Sequence, residues 1–326
     1  MGSAIFQKIT LGQLFGVALA VGYCLIIEVW LGWGAVLAPL LGLPTMLLVQ
    51  MLALLGLTYI VRALRLYSYF LGDLRRRFGL TLAIMLTHNL FNHLLPARLG
   101  EASLPLLLNR HLKVDLLRGT SALLWFRFLD LHTLVSLALL AAVFSPGSLP
   151  LMDYADYADL RDGSFGSVLL FVVGLFLLTP LGIFLLMRHF RYPPAEPLFG
   201  WQSVLFRVLS GLPERSTDFW LSWIWTGLNW LIKLLTLAWL LANLLSISWP
   251  AALLGVSGGE LTAVLPVHAP GGFGTYAGGI AAALTPLNID LDASLIAAAN
   301  THLVLFAAAL VSGLTGWLLL QQDYKK

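Results

Sequence analysis

The feature that most limits how this chain can fold is a series of apolar runs, each long enough to cross a bilayer. A helix rises 1.5 Å per residue, so about 20 apolar residues match the hydrocarbon thickness. Residues 11–31, 43–66, 119–144, 166–187, 219–245 and 293–320 meet that length. Backbone amides must be satisfied internally in hydrocarbon, and among isolated runs only a helix does so. Composition agrees: 59% of the residues are hydrophobic and 11% charged, with a mean hydropathy of +0.87. A soluble domain carries roughly a quarter charged residues. The expectation is an all-α polytopic membrane protein, one transmembrane domain over residues 1–326. The polar stretches are short loops that leave no room for a soluble catalytic domain. The single cysteine, Cys24, excludes intrachain disulfides and cysteine-rich metal sites. The first run lacks a small-residue cleavage pattern and reads as a retained span.

Charge on the flanks sets the topology. Arg62, Arg65, Arg75, Arg76 and Arg77 follow the second run and read as a cytoplasmic loop by the positive-inside rule, which places the N-terminus in the cytoplasm. The segment 78–108 has this basic stretch before it and Arg110, Lys113 and Arg118 after it. Two crossings would need about 40 residues, and a single crossing would leave a basic flank outside. A re-entrant hairpin turning near Pro96 meets both constraints. Asp153, Asp156, Asp159 and Asp162 mark an outer loop, whereas Arg188, Arg191, Arg207 and Arg215 return the chain inside. Apolar residues recur at helical spacing over 198–212, as in a helix lying along the cytoplasmic interface. Segment 250–287 is followed by Asp290 and Asp292, and the last run ends in QQDYKK, so this segment reads as a second hairpin entering from outside. Residues 1–144 and 166–326 each then read span, span, hairpin, span, in opposite orientations. This predicts six spans and two re-entrant hairpins in an inverted-topology repeat. Both termini would lie on the cytoplasmic side of the cytoplasmic membrane. In such repeats the substrate site lies near the midplane, where the broken segments meet.

Polar residues in a chain this apolar point to function, because each costs several kcal/mol if it faces hydrocarbon. Residues 87–101 read THNLFNHLLPARLGE. Arg98 and Glu101 stand one helical turn apart. Arg98 can grip a lipid phosphate through its planar donor fork while Glu101 orients it, or the two can form a structural ion pair. Arg127 and Asp130 repeat the spacing and the ambiguity. Asn89, Asn92 and His93 are candidate cavity-lining groups. His88 and His93 are five residues apart, unlike the i, i+4 histidine pair of a helical metal site, so neither a metal nor a cofactor is expected. In the second hairpin Pro266, Pro270, Gly271, Gly272 and Gly274 either expose amides that cradle an anion or permit close helix packing. Glu260 and His268 stand beside them. Lys233 either meets an anionic headgroup or pairs with an acid such as Glu260. Glu28 reads as a rim residue.

Three stretches, LLPARLGE (94–101), FRFLDL (126–131) and LPVHAPGGFGTYAG (265–278), resemble motifs of the lysylphosphatidylglycerol synthase transmembrane family. These are flippase-like membrane domains, found fused in the multiple peptide resistance factor and also as stand-alone proteins. Ala97 departs from the family's glycine, Tyr276 and Ala277 from its Arg-Glu pair, and His302 from a frequent arginine. The aminoacyl-transferring domain of fused members is absent from the resemblance, so lipid aminoacylation does not carry over. The resemblance implies translocation of an anionic phospholipid or polyprenyl-linked lipid. Its partners would be that lipid and, left open, further copies of the chain, but no nucleic acid. A membrane-embedded lipid-modifying enzyme and a non-catalytic scaffold for envelope assembly are the alternatives, although no nucleotide or metal catalytic motif is present.

Overall fold

The computed structural model describes residues 21–22, 25, 27–29, 32–74, 76–143, 171, 173–189, 200–203, 209, 212–213, 215–264 and 274–323. Among these, every regular element is helical. The principal helices are α1 (Trp33–Leu41), α2 (Thr45–Tyr69), α3 (Phe78–Leu94), α4 (Ser103–Leu112), α5 (Leu116–Val143), α6 (Thr179–His189), α7 (Ser216–Leu245), α8 (Trp249–Val264), α9 (Thr275–Leu284) and α10 (Leu291–Asp323). Helices α2, α5, α7 and α10 contain 25, 28, 30 and 33 residues. At 1.5 Å per residue they run about 37–50 Å, longer than a hydrocarbon core of about 30 Å. The chain is thus an all-α polytopic membrane protein. Two expected spans, 11–31 and 166–187, lie partly outside the described residues. So do Cys24, Arg75, the acidic loop and most of the expected interfacial helix. Between the runs 11–31 and 43–66 the chain forms the helix α1.

Four of the shorter helices, α3, α4, α8 and α9, form two pairs. Helix α3 ends because Pro96 drives the preceding residue out of helical space: Leu95 is extended, at φ −90° and ψ 134°. The chain then turns through a 3-10 segment, Pro96–Ala102, that folds back on α3. At Gly100 a Cβ would lie 2.4 Å from the Phe91 carbonyl oxygen, so no larger residue permits this approach. Helix α4 then returns to the end from which α3 started. Asp73, before α3, meets Arg118, after α4, at 2.7 Å, and the Arg118 guanidinium lies 5.3 Å from the centre of the Phe70 ring. In the second pair, Gly258 of α8 faces Gly279 of α9, where a Cβ on the former would lie 2.4 Å from the Gly279 carbonyl oxygen.

Two apolar clusters occupy opposite ends of the bundle. One joins Leu66 of α2, and Phe70 and Leu74 just after it, to Ile84, Leu112 and Phe219. The other joins Met51, Leu55, Leu241, Ala252, Ile280 and Leu284, with Ile247 and Ile289 packed beside them. Between them lies a polar layer. The packing has a swap relation. When α2, α3, α4 and α5 are exchanged with α7, α8, α9 and α10, α2 on α7 maps onto itself. In the same exchange α3 on α10 becomes α8 on α5, and α4 on α5 becomes α9 on α10.

Helix α10 seats against α3 through glycine. A Cβ at Gly313 would lie 2.4 Å from Leu90 Cβ, and one at Gly316 would lie 2.4 Å from Leu86 Cβ. Small residues let membrane helices approach closely enough for dispersion to hold them. Gly316→Val is expected to lower stability by about 1–3 kcal/mol through overpacking. Gly227→Ala, where a Cβ meets nothing within 4 Å, is expected to hold or raise it. Thermal melting of the two variants in detergent checks this.

Candidate functional site

The polar layer is built around an arginine in the middle of the bundle. Arg65 of α2 donates from Nη1 to Asp130 Oδ1 of α5 at 2.7 Å and from Nη2 to Oδ2 at 3.4 Å. Helix α7 completes the arrangement: Nη1 also donates to Thr226 Oγ1 at 2.8 Å, and Trp230 Nε1 donates to Asp130 Oδ1 at 3.1 Å. Phe126 stacks under the guanidinium at 4.4 Å. Arg65 and Asp130 are each only 5% exposed. The sequence reading put Arg62 and Arg65 in a cytoplasmic loop. They lie instead inside α2, which continues to Tyr69. The residues that make this tolerable are 65 and 161 positions away in sequence.

Arg127, one turn before Asp130, reaches that carboxylate at 3.9 Å and Glu101 at 3.2 Å. Glu101, expected beside Arg98, thus ties the 3-10 segment to α5. The Arg98 side chain lies outside the described residues. A hydrogen-bond relay secures the same segment to α3. Ser103 donates to the Gly100 carbonyl at 2.6 Å, so its oxygen accepts from His88 Nδ1 at 2.8 Å. His88 Nε2 is then the acceptor for Asn92 Nδ2 at 3.0 Å. The Asn92 Oδ1 is buried without a partner. His93 donates from Nδ1 to the Asn89 carbonyl of its own helix at 2.9 Å. The two histidines serve separate hydrogen bonds, and among the described residues no group of three metal-ligating side chains assembles.

Arg62, one turn before Arg65, donates from Nε to Asn229 Oδ1 of α7 at 3.0 Å and from Nη1 to Asn89 Oδ1 of α3 at 3.4 Å. Sequence reasoning passed over Arg62, Arg65, Thr226, Asn229 and Trp230. The available signal was the three-residue spacing of the arginines, matched by polar residues at one-turn spacing on α7.

A second cluster lies across α7. Lys233 donates to Glu260 Oε2 of α8 at 2.6 Å, as one of the two sequence readings proposed. Tyr276 of α9 donates to Glu260 Oε1 at 3.4 Å and stacks on His302 of α10, with ring centres 5.1 Å apart. Tyr276, one of the departures from the family motif, thus hydrogen-bonds the acid of this cluster. Gly274 caps α9 at φ +83°, a conformation that suits glycine. His268, Gly271 and Gly272, with the rest of residues 265–273, lie outside the described residues. Glu28, expected at the rim, accepts from the exposed Trp33 amide at 3.0 Å, apart from this layer.

Breaking one member of a buried pair leaves an uncompensated charge, at a cost of about 3–5 kcal/mol. Asp130→Asn is accordingly expected to destabilise the fold on that scale. The double variant Arg65→Leu/Asp130→Leu, which removes both charges, is expected to recover much of the loss. Melting temperatures of Arg65→Leu, Asp130→Leu and the double variant form the cycle, and a double-variant loss equal to the sum of the two single losses would show that the two charges are uncoupled.

Comparison with known proteins places the chain. A family model described as the lysylphosphatidylglycerol synthase TM region matches residues 13–313. No curated protein matches the chain. The match covers the helix pairs, the polar layer, three of the long helices and most of α10, and the chain belongs to the lysylphosphatidylglycerol synthase TM region family.

Proposed function

We propose that this protein moves the headgroup of an anionic, phosphate-bearing lipid across the cytoplasmic membrane, as a transporter and not as an enzyme. The observation that carries the reading is the layer of Arg62, Arg65, Asp130, Lys233 and Glu260 between two apolar clusters, within helices of membrane length. Intramembrane charge on this scale marks a substrate pathway by default. A lipid headgroup is the polar cargo that a lipid-associated membrane family makes plausible, and its acyl chains can stay in the bilayer while the head crosses. The swap relation in the packing supports an inverted-topology repeat, in which α3–α4 and α8–α9 are re-entrant hairpins from opposite sides. The Asp73–Arg118 contact supports the first hairpin, because it brings the two flanks together at one end.

In this reading the end carrying Arg76, Arg77, Arg110, Lys113 and Arg118 faces the cytoplasm, and the end carrying Asp290 and Asp292 faces outward. Cysteines placed singly at Arg76 and Lys113 in a Cys24→Ser background are expected to label from the cytoplasmic side. One at Asp292 is expected to label from outside. Opposite-side labelling of Arg76 and Lys113 contradicts the hairpin.

Transport itself is tested in proteoliposomes carrying headgroup-labelled phosphatidylglycerol. The expected result is protein-dependent movement between leaflets, with the lipid mass unchanged. A changed lipid mass favours the lipid-modifying enzyme, and neither movement nor change favours the scaffold.

A further inference from the structure

Summing charge over the polar layer isolates one residue. Arg65 is matched by Asp130, Arg127 by Glu101 and Lys233 by Glu260. Arg62 is the remaining cation among the described side chains of this layer, and its two hydrogen bonds go to the neutral amides of Asn229 and Asn89. A guanidinium has no acceptor, so each amide must turn its oxygen toward Arg62 and its NH2 group away. Both NH2 groups are buried without a partner: Asn89 is 3% exposed and Asn229 fully buried, and each Nδ2 lacks a hydrogen-bond acceptor. The Tyr59 hydroxyl comes close to Asn89 without satisfying that nitrogen. Among the described residues Arg62 bonds only through Nε and Nη1, which leaves Nη2 free to donate. Three elements thus present unused donors and one uncompensated positive charge around a single side chain. Buried donors and a cation are costly when unmatched, and one acceptor-only anion would satisfy both.

We infer that Arg62, with the amide NH2 groups of Asn89 and Asn229, is the seat of the singly charged phosphodiester of the lipid headgroup. The inference rests on the transport reading for its choice of a lipid and on the hydrogen-bond pattern for its choice of place. The planar fork of arginine suits two phosphate oxygens, and the amides supply donors without adding charge. One phosphodiester would bring the layer to neutrality. Asn89 and Asn229 come from α3 and α7, so a phosphate held here would touch the first hairpin and a long helix of the other half at once.

The test uses the two asparagines because their substitution separates holding Arg62 from holding an anion. In Asn229→Asp and Asn89→Asp one oxygen still accepts from Arg62, but the outward donor becomes a negative acceptor. Purified protein in a neutral maltoside is titrated calorimetrically with dihexanoylphosphatidylglycerol, dihexanoylglycerol and inorganic phosphate. Wild-type protein is expected to bind the phospholipid and not the phosphate-free diacylglycerol. Each variant is expected to bind the phospholipid at least about tenfold more weakly, with a ligand-free melting temperature equal to or above that of the wild type. Arg62→Lys, which keeps the charge and loses the fork, is expected to bind at an intermediate level and gives the same reading if an aspartate variant fails to fold.

Unchanged phospholipid binding in the variants overturns the inference and leaves the amides as braces for Arg62. Binding of inorganic phosphate without the phospholipid overturns the lipid assignment. The two readings fail separately. Proteoliposomes that move lipid while the variants bind as wild type retain transport and lose the seat. Proteoliposomes that move none while the variants lose binding retain the seat and lose transport.

Discussion

Charge inside hydrocarbon has to be matched, and the Arg65–Asp130 pair is where this chain meets that demand. The pair brings α2 and α5 together, and Thr226 and Trp230 add α7 to the same junction. Hydrophobic burial gives membrane helices little preference for one neighbour over another, because lipid tails are as apolar as leucine. Directional bonds in a low-dielectric interior do give such a preference. The mutual register of α2, α5 and α7 at this junction therefore follows from a few polar atoms. The apolar clusters at either end fill the space around them.

Two kinds of contact share the work of assembly. Glycine-mediated approach fixes α10 on α3 and α8 on α9, with backbone and Cβ atoms too close for any larger residue. Polar pairing ties two of the long helices to short ones: Lys233 of α7 meets Glu260 of α8, and Arg62 of α2 meets Asn89 of α3. These two contacts occupy equivalent places under the exchange of halves, but they are chemically unequal. One half closes on a carboxylate and is neutral. The other closes on an amide and keeps a positive charge. In the proposed reading that inequality gives the layer its affinity for an anion, in the half that contains the LLPARLGE stretch.

Much of this fold is legible in the sequence, for identifiable reasons. Runs of about 20 apolar residues require helices, and the runs at 43–66, 119–144, 219–245 and 293–320 are α2, α5, α7 and α10. The break at Pro96 is local backbone chemistry and falls between two short helices as expected. Asn89, Asn92, His93, Glu101, Arg127, Asp130, Lys233 and Glu260 were legible as polar groups set within the bundle because nothing apolar explains them. Their partners were less so. A one-turn spacing suggested Glu101 with Arg98, whereas the tertiary contact is with Arg127 on another helix. Flanking arginines announce a cytoplasmic loop only when they are solvated. Arg62 and Arg65 follow the same apolar run, but an aspartate 65 residues later receives one of them, and local sequence carries no trace of that pairing.

The account turns on an anion resting at the centre of the polar layer. The direct measurement is a cryo-electron microscopy structure of the protein in nanodiscs that contain phosphatidylglycerol. The account predicts headgroup density with phosphate oxygens within hydrogen-bond distance of Arg62 and of the Asn89 and Asn229 amide nitrogens. Density for a protein carboxylate closing on Arg62, with every ordered lipid confined to the outer surface of the bundle, would contradict it.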